Sequence, residues 1–215
     1  MQTFLFADLA GFSAMTEAHG DEVAADAVSD FCAGVRRLLP DFEAEEVKSI
    51  GDAVMLRVPG APGAVELAVR LIAEVGTRHG SLAVRIGVHT GSAVHRDGDW
   101  FGAAVNLAAR VAGIAERGEV LMTEATRTAA AAALSAYELE ERRDQSFKNI
   151  AEPVTLYALT LASQPDVASL PIDPVCRMAV DPSESDVRRE HAGVQVHFCS
   201  AECAAVFDRH PDRYL

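Results

Sequence analysis

The chain reads as an α+β fold: a mostly antiparallel sheet with helices packed on it, followed by a small separate module. Three observations lead there. Strand-like and helix-like segments follow one another, but a hairpin around Gly51 breaks the βαβ rhythm that a parallel sheet requires. Periodicity disappears over 161–171, where Ser, Gln and Pro gather as in a linker. The cysteines are uneven: Cys32 stands alone in a helical stretch, whereas Cys176, Cys199 and Cys203 share the last 40 residues.

Each element has its own signal. Thr3–Ala7 is a short apolar run ending in Asp8, the pattern of a buried strand with an acid at its C-terminal end. Gly11 permits a turn into helix. From Asp21 to Leu39 the apolar residues Val23, Ala24, Ala27, Val28, Phe31, Val35 and Leu38 form a helical stripe, which Pro40 stops. Glu46–Val47 and Ala53–Val58 flank the Gly51 turn. Pro59-Gly60-Ala61-Pro62-Gly63 leads into a second helix predicted over 64–79. A strand is predicted over 82–95, with Gly87 and Gly91 marking close backbone approach or a bulge. A turn at Asp97-Gly98-Asp99, a helix over 103–114, a short strand over 119–123 and a final strand ending near Leu159 complete the first unit. Residues 172–215 are too few to rely on an apolar core alone, so a metal staple fits them.

Composition narrows the function. With 49% apolar and 24% charged residues in 215, the chain buries an ordinary core. A net charge of −13 argues against a general nucleic-acid surface, which needs clustered Lys and Arg. It leaves room for an anionic nucleotide, because bound divalent cations reverse the local sign. The first eight residues meet Asp8 too early and lack the basic start of a signal peptide. No apolar run approaches the roughly 20 residues of a spanning helix. The expectation is a soluble, cytoplasmic chain without membrane or nucleic-acid partners. Clustered thiols in such a chain favour metal or redox chemistry over a disulfide framework.

Asp8 ends one strand and Asp52 begins another. Brought together at a sheet edge, two carboxylates repel unless a cation lies between them, and Mg²⁺ at phosphates typically uses one or two carboxylates. The alternative is two unrelated acids, each at its own turn. Lys48 and Asp52 flank one turn and could instead form a hairpin-tip ion pair worth about 0–1 kcal/mol. Asn106 and Arg110, four apart on one helix, share a face and suit a phosphate or ribose; an exposed, solvated face is the plainer reading. Cys32 reads as a core thiol, and His89 as a packing residue.

Taken together, Phe6-Ala7-Asp8-Leu9-Ala10-Gly11-Phe12-Ser13, Lys48-Ser49-Ile50-Gly51-Asp52, Arg85 through Gly91 and Asp99 through Arg110 resemble the class III nucleotidyl cyclase catalytic domain. The motifs stand in the family's order over about three quarters of the chain. The resemblance implies a ferredoxin-like, palm-type sheet over 1–160. It implies Asp8 and Asp52 as ligands of two Mg²⁺ or Mn²⁺ ions, and Lys48 and Asp99 as readers of the purine. It implies Asn106 and Arg110 as the residues that orient the ribose and stabilise the pentavalent α-phosphate. It further implies a homodimer whose sites are shared, with the aspartates from one subunit and the other four residues from its partner. Adenine offers an acceptor at N1 and a donor at its amino group, which matches Lys48 and Asp99. ATP is therefore the expected substrate, cyclic AMP and pyrophosphate the products. A guanylate cyclase and a non-catalytic nucleotide- or metal-sensing module are the alternatives; no GGDEF-like run supports a cyclic-dinucleotide synthase.

The tail resembles another family. Asp173-Pro174-Val175-Cys176-Arg177-Met178 and Val196-His197-Phe198-Cys199-Ser200-Ala201-Glu202-Cys203, with Phe207, Pro211, Tyr214 and Leu215, are similar to a YHS domain, which implies a metal-binding module, here one that regulates the cyclase. Arg177 stands where a glycine is usual, and Val196-His197-Phe198 replaces an aromatic-rich run. Cys176, Cys199 and Cys203 supply three thiolates for Zn²⁺ or another soft ion, with His197 or Met178 as the fourth ligand. Unligated thiols or a redox disulfide are the alternatives.

Overall fold

A computed structural model describes residues 1–76, 80–150, 152–160 and 170–215. Strand β1 (Gln2–Ala10) turns at Gly11 into α1 (Phe12–His19) and α2 (Asp21–Leu38). The hairpin of β2 (Glu45–Ile50) and β3 (Ala53–Val58) follows, then α3 (Ala61–Val75) and β4 (Ala83–Gly91). A second hairpin, β5 (Val94–Arg96) and β6 (Asp99–Phe101), leads into α4 (Ala103–Ile114) and β7 (Val120–Thr123). Two short helices, α5 (Glu124–Ala129) and α6 (Ala131–Leu134), precede β8 (Glu138–Gln145) and β9 (Val154–Thr160). The last residues carry β10 (Arg188–His191), β11 (Val194–His197) and α7 (Ala201–Arg209).

The main sheet has the order β2-β3-β1-β4-β7-β9-β8. Its neighbours are antiparallel except β4 and β7, which is the expected α+β architecture. Central β1 is apolar on both faces. Leu5, Ala7 and Leu9 pack with Val54, Leu56, Ile86 and Val88 into the core shared with α2 and α3. Phe4 and Phe6, with Met55 of β3, lie under Ala104, Val105, Ala108 and Ala112 of α4. Each such large side chain contributes about 1.5–3 kcal/mol when fully buried.

Local chemistry accounts for the departures from expectation. Gly20, at φ +85°, divides α1 from α2, a conformation that costs glycine little. Helix α3 starts at Ala61, three residues before the expected Ala64, because proline is tolerated in a first turn where its N–H has no helical partner. The expected end of that helix, 77–79, lies outside the described residues, as do 161–169 of the expected linker. The strand expected over 82–95 is two, β4 and β5. Strand β8 was not foreseen, since ELEERRDQ shows little apolar alternation; it lies at the sheet edge, where charge discourages further pairing.

The tail packs on this body. Val175, Cys176, Met178, Phe198, Cys203 and Phe207 belong to the same apolar cluster as Leu5 and Leu9. Gly80 N–H donates to the Ala179 carbonyl at 2.9 Å, and Ala179 N–H to the Ser81 carbonyl at 2.9 Å.

Gly87 sets how closely α4 approaches the sheet. A Cβ there would stand 2.0 Å from the Ala112 nitrogen and 2.7 Å from the Ala108 carbonyl oxygen, both backbone atoms that cannot swing aside. Gly87→Ala should therefore lower stability by at least about 2 kcal/mol. Urea unfolding of the two chains measures it, and equal midpoints would contradict this packing.

Candidate active site

Strand register assembles the first group of residues. Asp8, at the end of β1, lies opposite Ala53 of β3 on one side and Arg85 of β4 on the other. Asp52 precedes Ala53 in the hairpin turn, and its carbonyl accepts from Leu9 N–H at 3.3 Å. Asp8 and Asp52 are thus neighbours in space. Burial, followed by repulsion from Asp8, pushes the Asp52 carboxyl above the usual range. Arg85 Nε donates to Asp8 Oδ2 at 2.7 Å and offsets part of that repulsion. Two half-buried carboxylates against one guanidinium form a hard, oxygen-rich donor set that fits a divalent cation such as Mg²⁺.

Lys48 and Asp52 do not pair. A β-bulge between Glu46 and Lys48 places Lys48 opposite Met55, on the sheet face that carries α4. From there Lys48 Nζ reaches Asp99 Oδ2 at 2.5 Å, across from β2 to the start of β6. Asp99 Oδ1 accepts from Trp100 N–H at 2.7 Å. The Lys48 hydrogen bond holds the Asp99 carboxyl below the usual range. Trp100 is fixed edge-on against Phe4, ring centres 5.7 Å apart. One donor and one acceptor are thereby presented side by side on a packed support.

Asn106 and Arg110 lie on α4, whose Ala104, Ala108, Val111 and Ala112 are buried. Asn106 is exposed and Arg110 half-buried. Neither side chain has a hydrogen-bond or ion-pair partner among the described residues, so their donors remain available to a ligand.

The cysteines of the tail meet, with a partner from elsewhere. Cys176 and Cys199 sulfurs are 3.4 Å apart, Cys199 and Cys203 3.7 Å. His19 Nε2, at the end of α1, lies 3.5 Å from Cys199 Sγ and 3.6 Å from Cys203 Sγ. The four donor atoms all fall within 4.8 Å of one another. His197, one of the two expected fourth ligands, does not belong to this group. Val196 is buried, so the next residue of the strand, His197, turns to the opposite face; Met178 is buried in the apolar core. His19 was missed because it is 180 residues from Cys199, and a lone histidine at a helix end carries no ligand spacing. Cys32 is buried, as expected of a core thiol.

Asp173 organises this cluster. Its Oδ1 accepts from Val175 N–H at 2.8 Å and Cys176 N–H at 3.3 Å, and its Oδ2 from Cys199 N–H at 2.8 Å. Ser200 caps α7 by accepting from Cys203 N–H at 3.3 Å. Hydrogen bonding from Cys176, then Cys199, pulls the Cys203 thiol down, while Cys176 is pushed up as a proton donor to Cys199 and Cys203.

The family model described as the adenylate and guanylate cyclase catalytic domain matches residues 2–160. The chain belongs to that family. A YHS domain model matches residues 172–215 of this cyclase-family chain. The pH-sensitive adenylate cyclase of Mycobacterium tuberculosis is 38% identical over 130 residues, 59% of this chain and 32% of that protein. The chain spans about a third of the length of the curated relatives it matches first. Among solved structures, an adenylate cyclase from Trypanosoma brucei in its monomeric state superposes with a TM-score of 0.66 at 26% identity, covering 78% of this chain and 89% of that one. The guanylyl cyclase Cya2 superposes with a TM-score of 0.63 at 18% identity, covering 77% and 96%. The fold is common to both kinds of cyclase and leaves the choice of base to side chains.

Asp173→Ala should remove three backbone hydrogen bonds and leave buried N–H groups unsatisfied, at a cost of about 2–4 kcal/mol. Thermal unfolding of the intact chain tests this; a melting temperature equal to the parent's would contradict it.

Proposed function

We propose that the chain is an adenylate cyclase that converts ATP to 3′,5′-cyclic AMP and pyrophosphate at sites shared between two copies. The observation that carries the reading is the Lys48–Asp99 pair, a donor and an acceptor held together beside the α4 face. When adenine binds, Lys48 donates to N1 and Asp99 accepts from the 6-amino group, so one internal ion pair is exchanged for two base contacts. Guanine presents the reverse pattern and leaves both groups facing the wrong partner. Such a site discriminates by up to about 10⁴-fold.

The remaining roles follow from residue chemistry. Asp8 and Asp52 would hold the cations, whose charge would offset the Asp8 repulsion that, after burial, raises the Asp52 carboxyl. Two Mg²⁺ or Mn²⁺ ions supply the chemistry of lowering the ribose 3′-hydroxyl pKa and neutralising the leaving pyrophosphate. Asn106 orients the ribose. Arg110 donates to the α-phosphate oxygens, where negative charge grows as the 3′-oxygen attacks in line. Arg110→Ala is expected to lower kcat about 10²–10³-fold.

Exposed apolar residues support the homodimer. Ile50 at the first hairpin turn is 54% exposed, and Val94 and Phe101, cross-strand partners in the second hairpin, are 60% and 52% exposed. Lys48 lies over the Phe101 ring at 5.9 Å, which ties the two hairpins together. A self-complementary two-fold contact would cover these side chains and create two sites.

Two measurements test the reading. Purified protein with Mn²⁺ or Mg²⁺ should form cyclic AMP from ATP faster than cyclic GMP from GTP; GTP turnover at or above the ATP rate would overturn the base assignment. A chain lacking Asp8 and Asp52 and one lacking Asn106 and Arg110 should each be inactive, and their mixture should regain activity. An inactive mixture of folded chains would rule out shared sites.

A further inference from the structure

We propose that His19 of helix α1 completes a four-ligand Cys₃His site with Cys176, Cys199 and Cys203, and that a Zn²⁺-class ion bound there clasps the tail to the cyclase body. The inference does not depend on the cyclase reading. A tetrahedral ion with Zn–S bonds of about 2.3 Å and a Zn–N bond of about 2.0–2.1 Å requires sulfur–sulfur separations of roughly 3.7 Å and sulfur–nitrogen separations of roughly 3.5 Å. The observed sulfur–sulfur distances are 3.4 and 3.7 Å, and the sulfur–nitrogen distances 3.5 and 3.6 Å. Four of the six donor–donor edges thus already stand near those of a ligand tetrahedron, and the other two are no longer than 4.8 Å. Three thiolates and one imidazole are a soft donor set suited to a closed structural site.

The surroundings support the ion. Asp173 fixes the backbone of both Cys176 and Cys199, and the Ser200 cap fixes Cys203, so three ligands are held by hydrogen bonds outside the coordination sphere. Cys199 and His19 are half-buried rather than sealed, which leaves an entry path. Three thiolates with a divalent ion carry a net charge of −1. Arg117, which donates from Nη1 to the Arg177 carbonyl at 2.6 Å, brings positive charge to the neighbouring loop.

The site joins parts that sequence separates. His19 ends the helix that begins just after Asp8 and Gly11, while the thiols lie in the tail. Arg177, next to Cys176, presses on the same loop: a Cβ on Gly11 would stand 2.5 Å from Arg177 Cβ. Arg177 itself has φ +67°, the left-handed region. A side chain there is strained relative to glycine. Loading the ion removes the thiol protons and fixes Arg177, Gly11 and α1 as one unit.

The test uses the intact chain, reduced and stripped of metal. Added Co²⁺ should give sulfur-to-cobalt charge-transfer bands and tetrahedral d–d bands, and one equivalent of Zn²⁺ should displace it. His19→Ala should weaken Zn²⁺ binding by at least about tenfold and change the d–d envelope. His19→Cys, which keeps four ligands, should restore affinity and shift the cobalt spectrum towards four sulfurs. His197→Ala should change nothing. Hydrogen exchange of residues 12–19 should slow on Zn²⁺ loading in the parent but not in His19→Ala. A His19→Ala chain with parental affinity and spectrum would overturn the proposal, as would a parent that takes up no ion with all four thiols reduced.

Discussion

The carboxylates of the candidate active site depend on the register of β1 between β3 and β4. The apolar residues Phe4–Ala7, Leu9 and Ala10 of β1 occupy both faces and are buried only in an inner strand with helices on either side. Once Phe6 lies opposite Met55 and Gly87, Asp8 must lie opposite Ala53 and Arg85. A slip of one residue would send Asp8 to the α2–α3 side and Leu9 to the α4 side, so core burial enforces the position of the acid. Gly87 adds the second dimension. Without a Cβ it lets α4 settle on the strand, and α4 carries Asn106 and Arg110.

The charged groups placed by this frame are partly balanced by the chain itself. Arg85 shares the field of Asp8, and Lys48 answers Asp99. Such pairs limit the cost of holding charges half out of water. Asp52 has its carboxyl raised first by burial and then by repulsion from Asp8, which Arg85 only partly offsets. Asn106 and Arg110 show the opposite arrangement, with donors unengaged by the protein. Each copy therefore presents carboxylates at one strand end and unengaged donors on a helix.

The tail occupies the same end of the sheet as Asp8, because β1 finishes and β4 starts there. It is held by an apolar contact through Met178 and Phe207, by backbone hydrogen bonds at Gly80 and Ser81, and by close contact of Arg177 with Gly11. A module of this size has little core of its own, so sharing the apolar cluster of a larger body is a physical solution to its small volume. Three thiols and a histidine drawn together at that seam add a second means of attachment.

Much was legible in the chain alone. The apolar runs, the helical stripes and the Gly51 turn announced the sheet, its helices and the hairpin, since each is a local pattern of burial. The cyclase-like residues and the YHS-like thiols could be read because they stand in short motifs. The charged edge strand β8 escaped, since an edge needs no apolar alternation to be paired on one side. The turn alone left Lys48 able to pair with Asp52, whereas the cyclase resemblance set it with Asp99; the bulge before Lys48 is what brings those two within 2.5 Å. Sequence also left the fourth ligand of the thiols open, and proposed His197 or Met178 from proximity along the chain. Only docking of the tail on α1 brings His19 beside the thiols, because nothing in local spacing encodes a contact across 180 residues.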